Sequence, residues 1–530
     1  MNEKINILIK GGLIFDGTGS EPFEGDIGIA GDRIAFICKR SQVSKGVERV
    51  VAAGGMAIAP GFIDTHAHSE FTLLTDPRAE GKICQGITTE INGNCGLSAA
   101  PLMGEALKQR GEDLKAIDIY ERWSTFQEYF EILEKRGIAL NFVTLVGHGN
   151  IRACIAGYED RKLTTLYRDR IYALIGKSIR EGAIGVSTGL IYPPGVYSDT
   201  KELIDIARCC NNLIYTSHMR SEGDSLIESI EEILKIGRET GVKVHISHLK
   251  TSGEKNWHKI DDIILMIEEA QKEGIRVTCD RYPYTAASTD LDAILPPWVY
   301  EGGAEKELER LRSSRIKEKI KKEILHENPE IRYWENITVA TVCSEKNRWM
   351  EGKSIACIAR LEDSEPFDIL LKLLIEEKLS VSAIFFSMNE ENLRRFLSLP
   401  YVMIGTDSSA RCISGPTYKG KPHPRGFGSF PRFLGRYVRD KSLMSMSEAI
   451  YKITRLPAKT FGIYNRGIIK KGAFADIVIF DYEKLIDKAT FDNPFLKPEG
   501  VHYVFVNGLP ALWEGRMTGI NAGKILKHGK

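Results

Sequence analysis

Hydrophobic positions follow two alternating patterns along most of this chain. From Phe62 onward, short runs rich in apolar and β-branched residues alternate with longer stretches in which apolar residues recur every three or four positions. Ile263, Ile267 and Ala270 belong to one such series. The short runs predict buried strands and the longer stretches predict amphipathic helices. The predicted strands are Phe62–His68, Ile87–Asn92, Phe142–Gly147, Ile184–Thr188, Ile214–His218, Val242–His248, Arg276–Tyr282 and Val402–Asp407, and helical patterns between them include Lys201–Cys210, Asp224–Thr240 and Asp261–Glu273.

The spacing of these strands predicts a closed barrel. His218, His248 and Asp280 follow one another at intervals of about thirty residues, which is the length of one strand–helix unit. Eight such units in succession are typical of a (β/α)8 TIM barrel, an α/β fold. We therefore expect residues 58–460 to form the barrel.

Two parts of the chain depart from the barrel pattern. About 120 residues separate the seventh and eighth predicted strands, and they contain helical patterns and apolar runs of their own. Residues 290–395 are therefore predicted to form an insertion, either a lid or a small subdomain. Residues 1–57 and 461–530 contain short strand patterns, with a hairpin turn at Val506-Asn-Gly-Leu509. We expect the two chain ends to build one small β-sandwich domain together.

Composition excludes several classes of partner. The 530 residues carry a net charge of +1, with 43% hydrophobic and 27% charged residues, so no charge excess favours nucleic acid or an anionic membrane. No apolar segment reaches the length of a membrane span, and the first residues lack the apolar core of a signal peptide. The ten cysteines are scattered without a CxxC pair, which favours reduced thiols in the cytoplasm. A small-molecule substrate is the expected partner, and no feature predicts an oligomeric state.

Metal-competent side chains lie at the carboxyl ends of the predicted strands. Catalytic groups of TIM barrels cluster at that end of the barrel, and side chains two apart on a strand point to the same side. Any one of these residues also fits a simpler role, such as a buried cysteine or a hydrogen-bonded core histidine. Because all six fall at strand ends, we interpret them as one metal site. They are His66, His68, Cys95, His218, His248 and Asp407.

The mixture of ligand types favours zinc. Imidazole and thiolate groups with one carboxylate suit Zn²⁺ better than Mg²⁺ or Ca²⁺. An open coordination position on zinc lowers the pKa of a bound water to about 7, which suits attack on an amide, ester or amidine carbon. Asp407 is placed to accept the proton of that water and to deliver it to the leaving nitrogen.

Several motifs resemble a known enzyme family over nearly the whole chain. The sequence resembles the amidohydrolase superfamily, and more closely its D-aminoacylase (N-acyl-D-amino-acid deacylase) branch. Many amidohydrolases bridge two metals with a carboxylated lysine, whereas this branch has a cysteine ligand after the second strand. The motifs are Gly61-Phe-Ile-Asp-Thr-His-Ala-His68, Thr88-Thr-Glu-Ile-Asn-Gly-Asn-Cys95-Gly96, Ser217-His-Met-Arg-Ser-Glu-Gly-Asp224, Ile246-Ser-His-Leu-Lys250, His423-Pro-Arg-Gly-Phe-Gly-Ser-Phe-Pro-Arg432, Leu456-Pro-Ala-Lys-Thr-Phe-Gly462 and Gly472-Ala-Phe-Ala-Asp-Ile-Val478.

The resemblance implies a role for each matching residue. Cys95, His218 and His248 match the ligands of a tightly held zinc, and Asp407 matches the general acid/base. His66 and His68, together with Cys95 and Asp407, match a second metal site that family members fill weakly or not at all.

The resemblance also implies the substrate contacts. Arg425 matches an arginine that pairs with the substrate α-carboxylate, for which its planar fork is suited. Lys250, Tyr282 and Ser288 match polar groups around that carboxylate and the acyl carbonyl. Tyr192 matches an aromatic residue of the pocket wall.

One loop departs from the family pattern. Ser408 stands where the family leads us to expect glycine, and the segment between Asp407 and His423 is several residues longer than expected. The extra residues include Arg411, Tyr418, Lys419 and Lys421. Because the loop borders the predicted carboxylate site, we hypothesise that its basic residues meet a second carboxylate on a dipeptide-like or acidic substrate.

The sequence thus predicts a zinc hydrolase that cleaves the linear amide of N-acyl-D-amino acids. Two enzymatic alternatives are a cyclic-amide hydrolase of the hydantoinase or dihydropyrimidinase kind and a dipeptidase acting on D-residues. Cys95 and the lack of an obvious bridging lysine argue against the first. A non-catalytic scaffold is the third alternative, although such proteins usually lose metal ligands and this chain has all six. The preference for D-substrates is implied by the resemblance alone.

Overall fold

Strands occur in the middle of the chain and at both of its ends. A computed structural model of the protein describes residues 4–39, 41, 46–210, 213–328 and 330–529. Its strands are β1 (Ile7–Ile14), β2 (Phe23–Ala30), β3 (Arg33–Cys38), β4 (Arg49–Ala52), β5 (Ala57–Pro60), β6 (Phe62–Asp64), β7 (Ile87–Asn92), β8 (Asn141–Thr144), β9 (Val146–Gly147), β10 (Gly185–Gly189), β11 (Ile214–His218), β12 (Lys243–Ile246), β13 (Val277–Arg281), β14 (Ala286–Asp290), β15 (Ile337–Thr341), β16 (Ser382–Phe386), β17 (Val402–Ile404), β18 (Ile477–Phe480), β19 (Val501–Val506), β20 (Leu509–Trp513) and β21 (Arg516–Met517).

Helices follow most of the central strands. A π-helical segment continues the sixteenth of them at Phe433–Asp440. The α-helices are α1 (Thr72–Thr75), α2 (Glu80–Ile83), α3 (Gly104–Ala116), α4 (Phe126–Arg136), α5 (His148–Ala156), α6 (Thr165–Glu181), α7 (Thr200–Arg208), α8 (Leu226–Thr240), α9 (Ile260–Lys272), α10 (Ala304–Arg312), α11 (Ser314–Glu327), α12 (Ile331–Glu335), α13 (Ile355–Leu361), α14 (Pro366–Glu376), α15 (Glu390–Ser398), α16 (Arg425–Arg432), α17 (Met446–Ile453) and α18 (Arg455–Phe461).

Parallel strands form the centre of the molecule, as the alternating pattern predicts. One parallel sheet has the order β6-β7-β8, and a second sheet runs β17-β13-β12-β11-β10-β9, also in parallel. Ile63, Ile91, Val143, Ile214 and Met403 from these strands pack together in one buried cluster. The apolar faces of the surrounding helices bury a larger core against the outside of the strands. This arrangement is an α/β barrel with its helices outside.

The first and last barrel strands meet through an irregular junction. We predicted a strand from Phe62 to His68, but β6 ends at Asp64. The Oδ1 atom of Asp64 accepts hydrogen bonds from the backbone amides of His66 (3.2 Å) and Thr406 (2.8 Å). Because these amides donate to the carboxylate, the regular β-ladder does not continue past Asp64. The chain therefore bends before the two histidines.

A subdomain lies between β13 and β17. Its three strands form an antiparallel sheet of order β14-β16-β15, and helices α10 to α14 pack around a separate apolar core that includes Leu291, Leu370 and Ile355. Residues 304–327 form two helices rather than one, because Ser313 adopts an extended backbone between α10 and α11. The sheet of the subdomain begins at Ala286, before the predicted start of the insertion at residue 290. The domain boundaries given above remain our proposal.

Both chain ends contribute to one β-sheet. Its order is β21-β20-β19-β18-β5-β1-β2-β3, with β4 also paired to β1, so β5 joins the strands of the two ends. Asn507 and Gly508 both have positive φ, 50° and 78°, as the predicted hairpin turn between β19 and β20 requires. Residues 1–3, 40, 42–45 and 530 of the predicted terminal domain lie outside the described residues.

Among the residues that the model describes, no helix combines the length and the apolar character needed to cross a bilayer.

Candidate metal centre and active site

The six predicted ligands lie together at the carboxyl ends of the barrel strands. In three sets, one potential donor atom from each residue lies within 4.8 Å of the others. The Sγ atom of Cys95 lies 3.2 Å from Nε2 of His66 and 3.6 Å from Nε2 of His248. The three sets are Cys95, His218 and His248; His66, His68 and Cys95; and His66, His248 and Asp407.

This donor set fits a zinc ion. Tetrahedral zinc with Zn–S near 2.3 Å and Zn–N near 2.0 Å places neighbouring ligand atoms about 3.5 Å apart, close to the spacings around Cys95. His218 is buried, and neither of its ring nitrogens has a hydrogen-bond partner among the described residues. A buried imidazole without a partner is costly, and a metal ion satisfies it. Cys95, His218 and His248 are therefore able to hold zinc.

Three of these residues have left-handed backbone conformations. The φ angles are 54° at Cys95, 38° at His248 and 50° at Asp407, which cost residues with a Cβ about 1–3 kcal/mol each. Hydrogen bonds hold two of them in place. The amide of His248 donates to Oδ1 of Asp280 (2.6 Å), and that of Asp407 donates to the carbonyl of His66 (2.7 Å). The turns that follow the strands thus direct these side chains toward one another.

Ionised groups stabilise each other at this site. Burial opposes ionisation of the Cys95 thiol, but the neighbouring imidazoles of His66, His218 and His248 hold its pKa well below the usual range. Burial also opposes ionisation of Asp407, yet Arg425 and His66 hold the pKa of this carboxyl well below its usual range. The site therefore favours a thiolate ligand and an ionised carboxylate.

Asp407 is shared between the histidines and an arginine. Its Oδ1 lies 3.3 Å from Nε2 of His68 and 3.6 Å from Nε2 of His66. Its Oδ2 lies 2.8 Å from Nη1 of Arg425, the first residue of α16. Nη2 of the same arginine donates to the carbonyl of Ser288 (3.1 Å). The carboxylate thus connects the metal-competent cluster with a buried guanidinium group.

The remaining predicted substrate contacts surround this pair. The guanidinium of Arg425 lies 4.7 Å from the ring centroid of Tyr282, whose buried hydroxyl has no hydrogen-bond partner among the described residues. The ring of Tyr192 lies 5.1 Å from that of His218, and its hydroxyl is 2.8 Å from Oγ1 of Thr289. Ser288 is half-buried on β14. The structure therefore places these residues beside the Asp407–Arg425 pair and the metal-competent cluster.

Lys250 has a different set of contacts. It is 2% exposed, and its Nζ contacts Oε1 of Glu222 and lies 2.8 Å from Nδ1 of His248. Burial opposes ionisation of Glu222, but Lys250 and His248 hold the pKa of this carboxyl well below its usual range. Lys250 thus belongs to a cluster that borders a predicted metal ligand.

Sequence reasoning assigned no role to three charged groups beside the site, Glu222, Asp280 and Lys82. Glu222 stands inside the Ser217–Asp224 motif, which was the signal that could have drawn attention to it. Asp280 lies 2.9 Å from Nε2 of His245 and 3.4 Å from Nδ1 of His66. Lys82, on α2, had no recognisable sequence signal.

The long loop after Asp407 packs against other parts of the molecule. Lys421 lies beside Gly352 of the inserted subdomain, and its amide donates to the carbonyl of Ala340. The ring of Tyr418 lies 4.5 Å from that of Phe495. These contacts do not support the hypothesis that basic residues of this loop bind a second substrate carboxylate. That hypothesis remains a prediction.

Comparisons with known proteins find similar proteins over nearly the whole chain. The model of the amidohydrolase family matches residues 57–510. The chain is 33% identical to a D-aminoacylase of Alcaligenes xylosoxydans xylosoxydans over 99% of its length and 98% of that protein. It is 34% identical to an N-acyl-D-glutamate deacylase of the same organism, over 100% and 98% of the two chains.

A solved structure has the same overall fold. The N-acyl-D-glutamate deacylase of Bordetella bronchiseptica, complexed with zinc and a phosphonate inhibitor that mimics the tetrahedral intermediate, superimposes with a TM-score of 0.83. The two proteins are 31% identical over 99% of this chain and 100% of the other.

Proposed function

The chain belongs to the amidohydrolase family, and from that premise we propose that it hydrolyses the amide bond of N-acyl-D-amino acids to a D-amino acid and a carboxylate. The observation that carries this proposal is the Cys95–His218–His248 cluster lying beside the Asp407–Arg425 pair. The names of the full-length relatives support a linear amide substrate rather than a cyclic one.

We propose zinc as the metal of this enzyme. Cys95, His218 and His248 form the tight site, and His66 and His68 form a weaker second site with Cys95 and Asp407. When bound, zinc would act as a Lewis acid that polarises the acyl carbonyl and lowers the pKa of water. The similar N-acyl-D-glutamate deacylase structure with bound zinc and the unpartnered imidazole of His218 support this assignment.

Asp407 is the general acid/base in this proposal. Its two oxygens have different neighbours, since Oδ1 is near His66 and His68 while Oδ2 is near Arg425. An ionised carboxylate held beside the metal-competent cluster is able to accept the proton of the attacking water. The protonated carboxyl then donates that proton to the nitrogen of the leaving amine, which completes cleavage of the C–N bond.

Arg425 binds the substrate α-carboxylate. A guanidinium fork matches a carboxylate in two parallel hydrogen bonds, and the buried position of Arg425 strengthens them. In this proposal the hydroxyl groups of Tyr282 and Ser288 add hydrogen-bond donors, and Tyr192, whose ring lies beside that of His218, forms a pocket wall. This anchoring holds the scissile amide over Asp407.

A substrate screen tests the proposal. Purified enzyme reconstituted with zinc is assayed with N-acetyl-D-methionine, N-acetyl-L-methionine, a D-containing dipeptide, hydantoin and dihydrouracil. We expect turnover of the N-acetyl-D-amino acid to exceed that of the L-isomer and both cyclic amides. Faster hydrolysis of hydantoin or dihydrouracil would assign the chain to the cyclic-amide hydrolases, and faster hydrolysis of the dipeptide would make it a dipeptidase.

A further inference from the structure

Two oppositely charged side chains approach the same nitrogen of His248. Nδ1 of His248 lies 2.8 Å from Oε1 of Glu222 and 2.8 Å from Nζ of Lys250, and that Nζ also contacts the same Oε1. His248 and Lys250 are each 2% exposed, so the cluster is largely shielded from solvent. The three atoms form a triangle on the side of the imidazole away from Cys95.

Proton counting decides which neighbour is the hydrogen-bond partner. A neutral imidazole carries one N–H, a carboxylate only accepts hydrogen bonds and an ammonium group only donates them. Nε2 of His248 lies 3.6 Å from Sγ of Cys95, so a metal in the proposed site requires the lone pair of Nε2. The proton must then reside on Nδ1, which needs an acceptor, and Lys250 is not one.

We propose that Glu222 is a positioning residue that fixes the metal-binding tautomer and the ring orientation of His248. The Nδ1–H of His248 donates to Glu222, and the ammonium group of Lys250 donates to the same carboxylate. Lys250 therefore orients Glu222, in addition to any contact with substrate. This inference rests on the proposed zinc site and the proposed deacylase function.

The backbone supports the same assignment. The carbonyl of Glu222 accepts a hydrogen bond of 2.7 Å from the amide of Ser252, which ties the loop after β11 to the loop after β12. Nζ of Lys259 donates to the carbonyl of Gly223 at 3.0 Å. These bonds fix the Glu222 backbone relative to His248.

The other histidines among the predicted metal ligands have no carboxylate as close as 2.8 Å in the described part of the chain. Nδ1 of His66 is 3.4 Å from Asp280, and Nε2 of His218 is 4.0 Å from Glu222. Partners behind metal-binding histidines typically contribute 10–100-fold to metal affinity. We therefore expect loss of the Glu222 carboxylate to weaken zinc binding by that factor.

Zinc affinity measured by competition with a chromogenic chelator tests the inference. Glu222→Gln retains the side-chain size, Lys250→Met removes the ammonium group, and Glu228→Gln on the exposed face of α8 is the matched control. We expect a 10–100-fold weaker zinc affinity in Glu222→Gln, a smaller loss in Lys250→Met and no change in Glu228→Gln. The Co²⁺-substituted wild type and Glu222→Gln should also differ in their visible absorption spectra, because the ligand field depends on the His248 ring.

Two outcomes overturn the inference. The first is an unchanged zinc affinity in Glu222→Gln. The second is a larger loss of zinc affinity in Lys250→Met than in Glu222→Gln, which would make Lys250 the hydrogen-bond partner of Nδ1. Thermal unfolding of the metal-free variants identifies any variant that fails to fold. If Glu222→Gln does not fold, an unchanged zinc affinity in Lys250→Met overturns the inference. Failure of the proposed function is distinguishable, because wild type would then neither hold zinc nor hydrolyse N-acetyl-D-amino acids.

Discussion

Arg425 and Asp407 form a buried ion pair in which Nη1 of the arginine lies 2.8 Å from Oδ2 of the aspartate. The arginine approaches from α16 and the aspartate from the end of β17, so the pair joins two elements around the active site. In the proposed reaction the same arginine anchors the substrate carboxylate and the same aspartate transfers the proton. Substrate binding and proton transfer are therefore assigned to two side chains in direct contact.

Replacing Asp407 by asparagine should abolish proton transfer while leaving the proposed tight zinc site in place. Loss of a general acid/base typically lowers turnover by about 10²–10⁴-fold. We expect that decrease in kcat for N-acetyl-D-methionine, with the zinc content of the variant unchanged. A kcat within tenfold of wild type would place the acid/base role on another residue.

Replacing Arg425 by lysine should weaken the binding of the substrate carboxylate. A hydrogen bond to a charged group contributes about 1.5–3 kcal/mol, and a lysine does not reproduce the planar fork. We expect kcat/KM for N-acetyl-D-methionine to fall about 10–150-fold. The α-amide of the same substrate is the comparison, since it lacks the carboxylate and should lose much less. Equal losses for the two substrates would contradict the anchoring role.

A buried ion cluster beneath the site should contribute strongly to stability. Nζ of Lys82 lies 2.8 Å from Asp64, 2.6 Å from Glu90 and 2.9 Å from Oγ1 of Thr406, and these residues are fully buried. Removing one partner of a buried charge cluster costs about 3–5 kcal/mol because the remaining charges lose their compensation. Lys82→Met should lower the free energy of unfolding by that amount, as measured with urea.

The Lys82 prediction has a matched control elsewhere in the chain. Lys452 is also buried, but its ammonium group donates to the backbone carbonyls of Leu397 and Leu399. Lys452→Met should therefore destabilise less than Lys82→Met at pH 7. A smaller loss for Lys82→Met would show that the cluster contributes little net stability.

The buried amine of Lys452 should also make stability depend on pH. Burial lowers the pKa of Lys452 from 10.5 to about 7. Between these values the unfolded chain binds more protons than the folded chain, so stability rises with pH above about 7. Wild type should gain up to about 1.4 kcal/mol per pH unit relative to Lys452→Met between pH 7 and 9. Parallel pH profiles for the two proteins would contradict the shifted pKa.

The strand positions of the ligands were predictable from the sequence, because hydrophobic runs end at each of them. β7 and β11 have the predicted bounds. His218 is the last residue of β11, and Cys95 lies in the turn after β7. The end of β6 was not predictable, since it depends on Asp64 accepting amides from a segment more than 300 residues away.

Contacts between distant parts of the chain explain the other differences. Glu222 meets His248 from a neighbouring barrel strand, and Lys82 meets Thr406 across the barrel junction. The direction of the long loop after Asp407 is set by contacts with the inserted subdomain, such as Lys421 with Ala340. Local sequence patterns do not predict these contacts, because the residues come together only when the barrel closes.

Zinc retention by Cys95→Ala is the decisive test of the proposed metal centre. Metal content is measured after dialysis against a weak chelator, with Cys210→Ala as the control because Cys210 is also buried but lies outside the site. We expect about one tightly held zinc per chain in wild type and in Cys210→Ala, and loss of both zinc and N-acetyl-D-methionine hydrolysis in Cys95→Ala. Wild type without zinc, or Cys95→Ala with full zinc content and turnover, would contradict it.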